Sequence, residues 1–123
     1  MTETSTIVLK STEVGEVLVG ANGRTLYLFT ADEGTKSVCY GECETYWPPL
    51  IDDKPTAGAG LDASLLGTTE RTDGKLQVTY NGHPLYFFAV DESAGDIKGQ
   101  GYESFDGIWW TVSAVGAEIT KKV

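Results

Sequence analysis

Basic residues are scarce in this chain. Nine Lys and Arg stand against eighteen Asp and Glu, a formal net charge of −9 over 123 residues. A nucleic-acid ligand is not expected, because phosphate backbones are held by clustered Lys and Arg. Anionic membrane surfaces are disfavoured for the same reason, whereas cations and basic partners are favoured. No apolar run approaches eighteen residues, so no membrane span is expected. The start, Met1-Thr2-Glu3-Thr4-Ser5-Thr6, lacks the basic and apolar regions of a signal peptide. With one His and one Met, a His-His-Cys-Met copper site cannot be assembled within one chain. Zinc would need carboxylates to complete its ligands, and there is no Cys-x-x-Cys-His haem attachment. Gly-x-Ser-x-Gly, phosphate-loop and His-Glu-x-x-His motifs are also missing. No glycosidase carboxylate pair can be picked out by spacing. No enzymatic activity is expected, and His83 reads as a solvated or loop-bonded side chain.

What the chain does have is a pattern written twice. Tyr27-Leu28-Phe29-Thr30-Ala31-Asp32 returns as Tyr86-Phe87-Phe88-Ala89-Val90-Asp91, each preceded by an Asn-Gly pair. Asn22 to Asn81, Tyr27 to Tyr86 and Asp32 to Asp91 are each 59 positions apart. Three landmarks in one register indicate an internal duplication. A Trp follows in each copy, Trp47 in the first and Trp109-Trp110 in the second.

Length, 41% hydrophobic residues and fifteen glycines indicate one globular domain, 1–123, rich in turns. Repeat one is expected over about 14–50, a linker over about 51–62 and repeat two over about 72–113. Asn-Gly between apolar runs signals a hairpin. On the strand after the first turn, Tyr27 and Phe29 face one way and Leu26 and Leu28 the other, so both faces are apolar. The expected fold is all-β: a small antiparallel barrel or sandwich of two pseudo-symmetric hairpin units. A loop over 31–44 precedes two prolines, Pro48 and Pro49, that oppose any helix. A short helical turn is expected at 61–66, a last strand within 116–120, and fraying over 121–123.

Tyr and Asp five positions apart would face opposite ways on a straight strand, so each strand must end or bend before its Asp. The structural reading makes Asp32 and Asp91 acceptors for loop amides at the strand exits. Each Tyr then buries its ring and gives its hydroxyl to a neighbouring loop. A second reading draws Asp32, Glu33, Asp91, Glu92 and Asp96 toward calcium, although their spacing matches no calcium loop. No other cofactor is expected. Cys39 and Cys43 are close enough to bridge, which would mark an oxidising compartment; the alternative is two free thiols. Tyr40, Tyr46, Trp47, Tyr102, Phe105, Trp109 and Trp110 are either core or a platform for carbohydrate or protein. Adjacent in a strand, Trp109 and Trp110 face opposite sides, which makes Trp47, Trp109 and Trp110 candidates for a binding surface.

Thr25-Leu26-Tyr27-Leu28-Phe29, Cys39-Tyr40-Gly41-Glu42-Cys43, Trp47-Pro48-Pro49-Leu50, Asn81-Gly82-His83-Pro84-Leu85-Tyr86 and Trp109-Trp110 form a specific combination, spread over about 20–113. It resembles the bacterial and archaeal secreted-repeat family, described as predicted lipoproteins with a Tyr-x-aromatic-x-x-Asp motif. The resemblance implies an exported, envelope-associated domain of paired repeats, often beside electron-transfer or copper domains, with no established activity. This sequence departs from the pattern in carrying neither an export signal nor a lipid-attachment Cys. The expectation is a non-enzymatic extracellular or envelope module that binds a partner or ligand through loops and exposed aromatics. The rival readings are a redox-associated protein, handling electrons, metal or haem, and a calcium-stabilised structural domain.

Overall fold

The computed structural model describes residues 6–32 and 34–120. Each repeat opens with an antiparallel hairpin. In the first, β1 (Ile7–Thr12) pairs with β2 (Gly15–Gly20). After a short helix, α1 (Glu42–Tyr46), and a 3₁₀ turn (Ala63–Leu65), the second hairpin pairs β4 (Leu66–Glu70) with β5 (Leu76–Tyr80). Both repeats therefore begin one strand earlier than 14 and 72, because β-branched, half-buried residues at 7–12 and 66–70 complete the hairpins.

The two Asn-Gly turns occupy matching places but differ by one residue. Asn81 and Gly82 both take positive φ, 52° and 80°, a two-residue turn joining Tyr80 to His83, which opens β6 (His83–Pro84). In the first repeat Ala21-Asn22-Gly23 makes a three-residue loop in which Gly23 alone is left-handed, φ 81°, while the Asn22 carboxamide accepts from the Arg24 N–H at 3.0 Å.

After its turn each repeat runs into its aromatic segment, the strand β3 (Tyr27–Phe29) in repeat one and residues 85–89, which pair through isolated bridges at Tyr86, in repeat two. These two segments meet at the centre. The Tyr27 N–H donates to the Tyr86 carbonyl at 2.8 Å, and the Tyr86 N–H donates to the Tyr27 carbonyl at 3.0 Å. Each aromatic segment is flanked on its other edge by the last segment of the opposite repeat. Strand β8 (Gly107–Val112) pairs with β3, matching Phe29 with Trp109. Residues 46–51 lie along 85–89, with Leu50 N–H on the Leu85 carbonyl, Phe87 N–H on Pro48 and Ala89 N–H on Tyr46. The repeats thus exchange their final segments. Beyond β8 the sheet continues to the edge strand β7 (Tyr102–Ser104), and β9 (Glu118–Ile119) pairs with the end of β8.

Among the described residues no closed barrel forms; the all-β architecture is that of a sandwich. Both faces of the central segments are covered, as their double apolar patterning requires. Leu26, Leu28 and Leu85 enter an aliphatic core with Ile7, Leu18, Val78, Tyr80 and Val112. Tyr27, Phe29, Tyr86 and Phe88 enter an aromatic core with Trp47, Trp109 and the two cysteines. Helix α1 was not expected inside a proline-flanked loop. It ends at Tyr46, and Trp47, at φ −128° and ψ 74°, leaves the helical region, which a following proline disfavours.

Candidate functional site

The aromatic core is built on a stack of four rings in the order Phe29, Trp109, Trp47, Phe88. Neighbouring centroids are 3.9 Å apart at each step, with interplanar angles of 5°, 1° and 11°. The repeats alternate along it, so the two Trp rings face each other where the halves meet. Tyr27 sets its edge against Trp47 at 5.4 Å, and Tyr86 does the same to Trp109 at 5.0 Å. Gly99 closes one side: a Cβ there would stand 2.7 Å from Trp47 and 2.9 Å from Tyr27, so only glycine fits.

Above this stack the two motif tyrosines and aspartates bond across the repeats. The Tyr27 hydroxyl donates to Asp91 Oδ2 at 2.6 Å, and the Tyr86 hydroxyl donates to Asp32 Oδ2 at 2.8 Å. The remaining carboxylate oxygens accept loop amides, Val38 N–H on Asp32 and Lys98 N–H on Asp91, both at 2.9 Å. The aspartates accept amides at the strand exits, and each tyrosine hydroxyl reaches the carboxylate that opens the opposite repeat's loop. Burial pushes the Asp32 carboxyl up to about 6, against the lowering effect of the Val38 amide, the Tyr86 hydroxyl and Arg71. Burial likewise raises Asp91, and desolvation followed by the facing carboxylate holds both tyrosines above the usual phenol range. Both pairs thus stand as phenol donating to carboxylate at neutral pH.

Each tyrosine oxygen also meets a further group, Gly99 N–H for Tyr27 at 3.1 Å and the Ser37 hydroxyl for Tyr86. Ser37 is held by Arg71, which sequence reasoning did not single out. The buried Arg71 guanidinium donates to Ser37 Oγ at 3.0 Å, Gln77 Oε1 at 2.7 Å, the Cys39 carbonyl at 2.6 Å and Glu44 at 2.6 Å, and lies 4.3 Å over the Tyr40 ring. A lone Arg before a turn carries no motif that would have announced this role. Cys39 and Cys43 are joined in a disulfide that packs in the aromatic core.

The expected tryptophan surface is corrected by burial. Trp47 and Trp109 are sealed in the stack, and Trp110, on the opposite face of β8, is half-buried against the aliphatic core. None stands out as a platform, because the fold covers the sheet on both sides. The exposed rings are the smaller ones. Tyr46, Tyr102 and Phe105 are 47%, 48% and 37% exposed, and the aliphatic Val90 beside them 44%. With Ser104 they rim a cleft of about 230 Å³ whose floor is the Trp47–Phe88 end of the stack. Phe105 and Asp106 form the two-residue turn between β7 and β8, both in the left-handed region at φ 55° and 68°. That turn type is ordinarily filled by Asn and Gly, as at Asn81-Gly82.

Of the acidic residues grouped for calcium, Asp32 and Asp91 are engaged as above. Asp96 caps its own loop by accepting Glu92 and Ser93 amides at 3.1 Å, and Glu33 lies outside the described residues. No group of three or more His, Cys, Asp or Glu suited to a metal ion occurs among the described residues.

A family described as a secreted repeat of unknown function matches the chain twice, over 8–51 and 67–113. The chain belongs to this family. Its two matched segments begin 59 positions apart, the same register as the Tyr and Asp landmarks, and each takes in an opening hairpin and an exchanged final segment. Membership in this secreted-repeat family places the protein in an extracellular or envelope setting, in keeping with the disulfide. No curated protein and no solved structure matches. No helix among the described residues is long and apolar enough to cross a membrane.

Proposed function

We propose that this secreted repeat is a non-enzymatic binding module whose ligand occupies the cleft rimmed by Tyr46, Val90, Tyr102 and Phe105. The observation that carries the reading is Phe105. A bulky residue in the left-handed region costs about 1–2 kcal/mol relative to glycine, yet here it supports an exposed ring at the mouth of an apolar cleft. Strain kept at an exposed position points to use rather than to folding. Clustered aromatic side chains with a rigid floor suit recognition, since they offer large contact area at little conformational cost.

The test is Phe105→Gly together with an NMR screen of small aromatic, aliphatic and peptide fragments. The glycine variant is expected to be more stable by about 1 kcal/mol while losing fragment-induced shifts. In the parent protein those shifts should converge on 88–90 and 102–105. Shifts that converge elsewhere, or a Phe105→Gly variant that is destabilised, would count against the cleft.

A second reading, electron handling, draws on the stack itself. Tyr102 lies 6.0 Å from Trp47, so ring contacts run from an exposed phenol to the Trp pair and on to Tyr27 and Tyr86. Loss of one electron from Tyr27 to a one-electron oxidant would be accompanied by transfer of its phenolic proton to Asp91 Oδ2. Photo-oxidation with a ruthenium complex, followed by electron paramagnetic resonance, separates the cases. A buried tyrosyl radical lost in Tyr27→Phe plus Tyr86→Phe supports this reading, and a radical confined to Tyr102 removes it.

A further inference from the structure

We infer that the cleft takes a Lys or Arg side chain from an extended basic segment of a partner polypeptide; the inference rests on the reading of the cleft as a binding site. Three features of the region select this occupant. The first is the ring geometry. Tyr102 lies 5.4 Å from Phe88 and 6.0 Å from Trp47, and Tyr46 lies 6.3 Å from Phe105. These rings pack against one another and together line the cleft, so a cationic side chain resting in it can lie against more than one ring, the setting in which a cation is attracted to an aromatic quadrupole. Its aliphatic stem fits the apolar walls while the charged head remains near water.

The second feature is charge. Within three positions of a lining residue the sequence carries Glu44, Asp91, Glu92, Glu103 and Asp106, and no Lys or Arg. Glu44 is taken by Arg71, and Asp91 by Tyr27 and Lys98 N–H. Glu92, Glu103 and Asp106 are exposed and form no ion pair among the described residues. Arg24 approaches the same region, but its guanidinium is held by the Asp91 and Glu92 carbonyls at 2.7 and 3.1 Å. Glu103 and Asp106 line the adjoining pocket rather than the cleft itself, so with the overall charge of −9 they act at a distance, steering a cationic partner toward this end of the molecule.

The third feature selects a polypeptide over a small ammonium ion. Strand β7 carries Tyr102 and Ser104 into the cleft, and among the described residues it is the last strand on its side of the sheet, paired with β8 alone. An extended segment can add to this open edge through main-chain hydrogen bonds while every second side chain points toward the rings.

Titration followed by NMR and tryptophan fluorescence tests this, using three nine-residue peptides of alternating Val with Lys, Gln or Glu, and tetramethylammonium chloride as a fourth probe. The Lys peptide is expected to bind at least tenfold more tightly than the Gln peptide, to shift 88–92 and 102–106, and to weaken as salt rises. Glu103→Gln plus Asp106→Asn should reduce its affinity several-fold, and Phe105→Gly should reduce it further. If the Gln or Glu peptide binds as tightly at the same residues, the cationic choice is wrong and the cleft reading stands. If tetramethylammonium binds as tightly as the Lys peptide, the polypeptide occupant is wrong. If no probe shifts the cleft residues at millimolar concentration, both the inference and the cleft reading fail.

Discussion

The two repeats are nearly interchangeable in the core and unlike in their loops. Each supplies one phenylalanine and one tryptophan to the stack, one tyrosine donor, one aspartate acceptor and one segment given to its partner. Outside that set the symmetry breaks. The loop after Asp32 carries a disulfide and helix α1, and is clamped by the buried Arg71 reaching over from the β4–β5 turn of the second repeat. The loop after Asp91 has no disulfide and is held by Lys98 N–H on Asp91, the Asp96 turn and Arg24. Duplication preserves what both halves need in order to fold against each other. The loops diverge around one shared fastening, the carboxylate that meets the opposite repeat's tyrosine, while their other ties to the core differ.

The largest way to break the comparison is to remove a central ring. Trp47→Ala and Trp109→Ala should each cost about 3–5 kcal/mol, by similar amounts, in urea unfolding; a large disparity would show that the stack is not shared equally. Arg71→Met should cost about 2–4 kcal/mol, because it leaves Gln77, Ser37 and the Cys39 carbonyl without their donor in the interior. That loss should fall on the first loop alone, so hydrogen exchange should rise across 34–45 and stay unchanged across 92–100. Reduction of Cys39–Cys43 should be milder, about 2 kcal/mol for so short a ring, and should again spare the second loop. The smallest effect is the pH dependence. With Asp32 raised from 3.8 to about 6 and Asp91 raised in the same direction, the folded state binds more protons than the unfolded one between those values. The stabilisation is then complete below about 4 and is lost as pH rises through about 6. Tm should be higher at pH 5 than at pH 7.5 by roughly 2–5 °C, and Asp32→Asn should flatten that slope.

The duplication was legible because it is local: Asn-Gly, Tyr-x-Phe-x-x-Asp and the alternation of Tyr27 and Phe29 against Leu26 and Leu28 are periodicities along the chain. The exchange was not. Which Asp meets which Tyr depends on long-range strand pairing, and no spacing distinguishes Asp32 bonded within its own repeat from Asp32 bonded to Tyr86. The tryptophans were misread as a surface because adjacent rings on a strand must face opposite ways, and covering layers on both sides are a tertiary fact. Arg71 and Gln77 were silent, since a buried polar residue looks like an exposed one until its partners are placed. Tyr46, Tyr102 and Phe105 were in view among the rings, but their exposure follows from an edge strand and a left-handed turn that Phe-Asp does not advertise.

Bonds that cross between the repeats lock the two halves together, and a pair of double-mutant cycles reads them directly. Tyr27→Phe combined with Asp91→Asn should depart from additivity by about 1–2 kcal/mol in unfolding free energy, whereas Tyr27→Phe combined with Asp32→Asn should be additive within about 0.5 kcal/mol. Coupling to Asp32 with none to Asp91 would mean that each tyrosine is satisfied within its own half, and the interlocked arrangement would be wrong.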